Sequence, residues 1–238
     1  MSLRGFRGLH WCDVPDDHAE DADHVEDTVT EEKDGTNVDL SPAAAALTRI
    51  IEGIEDAQLA APTPCQGVSV GWLLDHVDGL CVAFTAAATK HRLPGDGAAP
   101  VPDPSRLGDD WRKRLPDRIA ELADAWLAPT AWTGSTYVGG GPLPAETAGA
   151  VALNEIVIHG WDLAVATGQP YPADDPTFTD ALRSAHGWVS TVVEQAPDGT
   201  PGLFGAPVSV PAHAPLLDQL VGLTGRDPAW QPSRQPVS

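Results

Sequence analysis

Apolar residues recur at helical spacing along most of the chain from residue 41 onward, and the breaks between the runs fall at proline, glycine and capping residues. Ser41-Pro42 reads as an N-cap followed by a proline at the first helical position. The helix it opens carries Leu47, Ile50, Ile51 and Ile54 on one side. Thr63-Pro64-Cys65-Gln66-Gly67 reads as a turn. Ser69 then caps a second helix whose inward stripe is Val70, Leu73, Leu74, Val77, Leu80 and Phe84. Leu93 to Pro104 is rich in proline and glycine and reads as a loop. A third helix is predicted over Arg106 to Leu127, with Pro116 able to kink or divide it. Thr133 to Pro144, with its run Gly139-Gly140-Gly141, reads as another loop. A fourth helix runs from about Ala145 to Thr167 and stops at Gly168. A fifth covers Pro176 to Gln195, capped by Asp174 or Asp175. A short extended piece is expected at Val208-Ser209-Val210, and a last helix, Ala214 to Leu223, closes at Gly225. There is no internal repeat and no alternation of strands with helices. The pattern predicts a mainly all-α fold, an antiparallel four-helix bundle with a short irregular C-terminal extension.

The fourth helix is the most informative. Val151, Ala152, Leu153, Ile156, Val157, Ile158, Trp161, Leu163, Ala164 and Val165 surround it with apolar side chains, as in a helix placed inside a protein. Glu155, His159 and Asp162 nevertheless lie in its middle. A buried carboxylate is costly unless something neutralises it. Residues four apart on a helix differ by about 40° in direction, so Glu155 and His159 point together and can share one ion. His76, on the inward side of the second helix between Leu73 and Leu80, is the natural third ligand. Two imidazoles and a carboxylate form a familiar open zinc site. Asp162, three residues past His159, can orient a liganding imidazole or accept a hydrogen bond from Trp161 or nearby backbone. The residue pattern alone leaves a second account open, in which the histidines are ordinary core residues and Glu155 pairs with one of them.

Charge changes the picture at two points. The net charge is −20, from 14 basic and 34 acidic residues, which repels phosphate backbones and argues against nucleic-acid binding. Much of the excess sits in residues 1–39, which hold twelve acids against three bases and no helical stripe. That segment reads as an acidic, disordered tail, and its His10, Cys12, His18 and His24 match no zinc spacing. The domain proper is expected over residues 40–230, with 231–238 a C-terminal tail. Three scattered cysteines imply no disulfide framework. With no secretory signal and no uninterrupted apolar run of membrane-spanning length, the expectation is a cytoplasmic protein, monomer or homodimer.

Two blocks carry a resemblance. Thr63-Pro64-Cys65-Gln66-Gly67 with Trp72-Leu73-Leu74-Asp75-His76-Val77 resembles the first block of the mycothiol-dependent maleylpyruvate isomerase family. Asn154 through Ala164, continued by Thr167-Gly168-Gln169, resembles the second. Leu223-Thr224-Gly225-Arg226-Asp227-Pro228 resembles the usual close of the shorter actinobacterial members. The resemblance implies a DinB-like metal-binding four-helix bundle over residues 41 to 230, with zinc ligands at His76, Glu155 and His159. It further implies a divalent metal, zinc, that presents the thiolate of mycothiol to a small electrophile for isomerisation or S-transfer. Asp162, from its place beside His159, is the candidate catalytic residue. The chain stops soon after the helical core, and no basic residues align that would hold a dicarboxylate substrate. The alternative is a non-catalytic metal-binding protein, a sensor or stress-linked module.

Overall fold

The computed structural model describes residues 37–98, 101–200 and 203–232. Most of the predicted tail, 1–36, and the closing residues 233–238 lie outside the described residues. In order, the regular elements are α1 (Ser41–Glu52), α2 (Val70–Ala88), α3 (Trp111–Trp126), β1 (Ser135–Val138), β2 (Gly141–Pro144), α4 (Ala145–Thr167), α5 (Thr179–Gln195) and α6 (Leu216–Leu223). The fold class is the mainly α bundle that periodicity predicts.

α1 and α2 each pack against both α3 and α4, while α5 lies on α4 and α6 on α5. Contacts at the helix ends set the directions. Arg112 at the start of α3 donates to the carbonyl of Ile54, just past the end of α1, so α1 and α3 run antiparallel. Cys65, ahead of α2, meets Asp162 near the end of α4, and Thr136, ahead of α4, donates to Ala87 near the end of α2. Hence α2 and α4 are antiparallel too. α2 and α3 run alike, with Asp75 bound by Arg106 and Asp78 by Arg114 and Arg118. The long segment between α2 and α3, with 3-10 turns at Pro94–Gly97 and Pro104–Arg106, makes that same-direction crossing possible.

Local chemistry accounts for the boundaries. Ser69 Oγ accepts from the Trp72 N–H at 3.2 Å and starts α2 as predicted. Gly168, at φ 71°, ends α4 in the left-handed conformation. At α1 the cap differs: Ser41 is already helical, and the Asp39 carboxylate accepts its N–H at 2.8 Å. α3 begins at Trp111 rather than Arg106, because Pro104–Arg106 forms its own turn capped by Asp103. Pro116 sits in the first half of α3 without dividing it. α5 begins at Thr179, since Asp175 spends its carboxylate on Thr177 rather than on a cap.

Two expectations outside the helices are corrected, a loop at Thr133 to Pro144 and an extended piece at Val208 to Val210. Thr133 to Pro144 contains an antiparallel hairpin, with Ser135 opposite Pro144 and Val138 opposite Gly141. Gly139 and Gly140, at φ 69° and 87°, supply the two left-handed residues that a tight hairpin turn needs. Val208 to Val210 forms no strand; Val208 donates to the Gly222 carbonyl and the segment packs along α6.

Among the described residues, α2 alone is long and apolar enough to cross a membrane by length and composition, and 78% of that stretch is buried inside the fold. Its apolar surface is spent on α3, α4 and the hairpin.

Candidate functional site

His76 projects from the middle of α2, and Glu155 and His159 from one face of α4, because residues four apart on a helix point the same way. All three are at least 96% buried. One ligand atom from each lies within 4.8 Å of the others. Glu155 Oε2 stands 2.9 Å from His159 Nε2 and 4.0 Å from His76 Nε2. Ligand atoms on a tetrahedral zinc ion are about 3.3 Å apart, so the group brackets that spacing. The imidazoles meet edge to face at 5.1 Å, and the half-buried Trp72 ring lies 5.5 Å from His76.

Asp162 differs from Glu155 although both are buried acids on the same helix. Its Oδ2 accepts from His159 Nδ1 at 3.0 Å, not from Trp161 or backbone. Arg226 Nε reaches Oδ1 at 2.8 Å and Nη2 reaches Oδ2 at 3.0 Å. The Cys65 thiol donates to the same Oδ2 at 3.3 Å. Asp162 is therefore saturated with donors. Glu155 Oε2 is buried and makes no aligned hydrogen bond.

Electrostatics follow from these contacts. Burial pushes the Glu155 carboxyl up, only partly offset by the neighbouring His159. Burial also opposes charge on His159, but Glu155 on one side and Asp162 on the other hold its pKa well above the ordinary imidazole range. Burial, with His159 and Arg226 nearby, drives His76 well below it. Burial would raise Asp162, but Arg226 and His159 outweigh it and keep the group ionised. Of the three, His159 therefore holds a proton most tightly against its ordinary range and His76 least.

The other acids near His76 are committed elsewhere. Asp75 accepts from the Asp103 N–H at 2.8 Å and from Arg106 at 2.7 Å. Asp78 is held by Arg114 at 3.2 Å and Arg118 at 2.5 Å. Both face the α3 side, leaving the inward face to His76.

The family model for the mycothiol maleylpyruvate isomerase N-terminal domain matches residues 40–164. The chain belongs to that family. The match to the mycothiol maleylpyruvate isomerase N-terminal domain spans α1 to α4 and takes in Cys65, His76, Glu155, His159 and Asp162, while Arg226 lies beyond it. Two uncharacterized proteins from two strains of Mycobacterium tuberculosis are 25% identical over 185 residues, covering 77% of this chain and 93% of each of theirs. Among solved structures, the crystal structure of the mycothiol-dependent maleylpyruvate isomerase is 19% identical with a TM-score of 0.49, covering 66% of this chain and 69% of that one. A histidine-to-alanine variant of that isomerase is 17% identical at a TM-score of 0.47, with the same coverage.

The sequence names Arg226 only within the close at residues 223–228 and does not mark its partner. Its position is 64 residues from Asp162, and nothing local marks it as buried. Its one signal is the Thr224-Gly225-Arg226 close of α6, in which Gly225 at φ 81° turns the chain inward. Cys65 reads from sequence as a small residue before a helix. The structure places its sulfur between Asp162 and Arg226.

Proposed function

We propose that this chain is a metal-dependent, mycothiol-dependent isomerase or S-transferase acting on a small electrophilic metabolite, with zinc as the metal. The observation that carries the reading is Glu155 Oε2, a buried carboxylate oxygen without an aligned hydrogen bond, facing two imidazole nitrogens. Membership in the mycothiol maleylpyruvate isomerase N-terminal domain family supports the choice of thiol and reaction class.

The donor set fits a divalent cation. His76, Glu155 and His159 would hold it, supplying two neutral nitrogens and one negative oxygen, a combination that suits zinc. Bound there, the cation supplies Lewis acidity that lowers a thiol's pKa and keeps it as thiolate at neutral pH. The chain's own residues do the rest. Asp162 accepts the Nδ1 proton of His159 and so leaves Nε2 as the ligand atom. Arg226 keeps Asp162 ionised for that role. The apolar walls of α2 and α4 exclude bulk water and strengthen every charge interaction inside.

Isothermal titration of the zinc-loaded protein with mycothiol tests the proposal, followed by turnover assays with maleylpyruvate and other small electrophiles. Heat of binding and turnover of at least one electrophile are expected. A metal-loaded protein that neither binds mycothiol nor turns over any electrophile would leave only metal binding, and the catalytic reading would be abandoned.

A further inference from the structure

A second cluster of metal-ligating atoms abuts the first. Cys65, His159 and Asp162 are all buried, with ligand atoms within 4.8 Å of one another. A thiol, an imidazole and a carboxylate are good ligands for zinc and its neighbours. The two clusters share His159, one through Nε2 and the other through Nδ1. A cation entering the fold therefore meets two candidate seats on opposite sides of one ring.

The outer seat already holds a positive charge. Arg226 Nε donates to Asp162 Oδ1 at 2.8 Å, and Nη2 donates to Oδ2 at 3.0 Å and to Cys65 Sγ at 3.1 Å. Nη1 donates to the Thr224 carbonyl at 3.2 Å, which fixes the guanidinium plane. Arg226 is only 9% exposed, and a guanidinium stays charged at any working pH. The backbone places it. The Gly225 N–H bonds the Gly222 carbonyl at 3.0 Å and the Arg226 N–H bonds the Val221 carbonyl at 3.2 Å, the paired bonds of a Schellman close. Gly225 passes so near Gly205 that an added Cβ would come within 2.9 Å of its backbone. The end of α6 is thus shaped to deliver this one side chain to Asp162.

We propose that Arg226 is a resident cation that closes the Cys65–Asp162 side of His159 to metal ions and so assigns the metal to the Nε2 side. The inference rests on the metal reading above. Arg226 is a positioning residue in this scheme: it occupies the carboxylate and sulfur lone pairs that a second ion would need, and it repels such an ion. Asp162, held by Arg226, accepts the Nδ1 proton of His159, and Nε2 remains for the ion shared with His76 and Glu155.

Cobalt(II) is the probe, because bound thiolate gives it an intense near-ultraviolet charge-transfer band that nitrogen and oxygen ligands do not. The full-length wild-type protein should bind one equivalent without that band, even with cobalt in excess. Arg226→Met and Arg226→Gln should show the thiolate band and bind at the Nε2 side ten- to a hundredfold more weakly, roughly the loss seen when an outer partner of a ligand is removed. The band should vanish in Arg226→Met/Cys65→Ser, and Arg226→Lys should stay free of it. Folded Arg226→Met or Arg226→Gln with the wild-type spectrum and affinity would overturn the proposal. So would a thiolate band in the wild-type protein, an outcome that needs no variant to fold. Wild-type protein that binds no cobalt at all would instead remove the metal reading itself.

Discussion

At the residue scale, the site turns on the contrast between two buried acids seven positions apart on one helix. Asp162 is saturated by an arginine, a histidine and a thiol. Glu155 has only imidazole nitrogens before it. A proton or a divalent ion can complete that arrangement, and the two compete. His76→Ala and Glu155→Gln should each lower zinc affinity by about a hundredfold or more, beyond the ten- to hundredfold typical of an outer partner; elemental analysis after dialysis reads the loss. The same competition sets a pH dependence. His159 holds its proton well above the usual range, so in the neutral region metal binding must expel it, whereas His76 is already neutral and expels none. Affinity should therefore fall as pH falls, by about tenfold per unit while one proton is displaced. Calorimetry in buffers of different ionisation heat should count about one proton released per ion. No proton release and a flat affinity from pH 6 to 8 would contradict the raised His159 pKa.

At the element scale, α4 works as the central strut, touching α1, α2, α5 and the hairpin. Its close approach to the turn after α3 depends on Gly149. A Cβ there would collide with the Trp132 ring and come within 2.8 Å of Trp126, whose rings already pack edge to face at 4.9 Å. Gly149→Ala should destabilise the fold by about 1–3 kcal/mol, the usual cost of overpacking a core, as read from a denaturant midpoint. The hairpin makes a separate demand. Gly140 sits at φ 87°, so Gly140→Ala should cost about 1–2 kcal/mol. That change lies away from the metal cluster, and zinc affinity should stay at the wild-type level. A parallel loss of zinc would show that the hairpin sets the geometry of α4 more directly than its contacts suggest.

At the scale of the whole molecule, the proposed ligands come from different parts of the bundle, so metal binding there would be linked to folding. His76 reaches the site on α2, and Glu155 and His159 on the antiparallel α4. An unfolded chain does not hold that arrangement. At a free zinc concentration a hundredfold above Kd, the native state gains about 2.7 kcal/mol. For a domain of this size that gain should raise Tm by about 5–11 °C, reversibly with a chelator. Melting curves with and without zinc check it, and His76→Ala should abolish the shift.

The sequence by itself determined what depends on spacing along a single element. The helical stripes, the Ser69 cap, the Gly168 stop and the common face of Glu155, His159 and Asp162 all follow from helix geometry, which is local. It also marked His76 as an inward imidazole. Tertiary structure decided everything that depends on which element lies opposite which. The hairpin after α3 was hidden because each strand is only four residues long and the second, Gly141–Pro144, is mostly glycine and proline. Asp75 and Asp78 flank His76 as closely as any acid in the chain, and only the packing of α3 and the Pro104–Arg106 turn reveals that arginines take them. Arg226 needed the most. Its partner is Asp162 because the turn at the end of α6 swings it inward, and charge pairing across such a distance leaves no periodic trace in the chain.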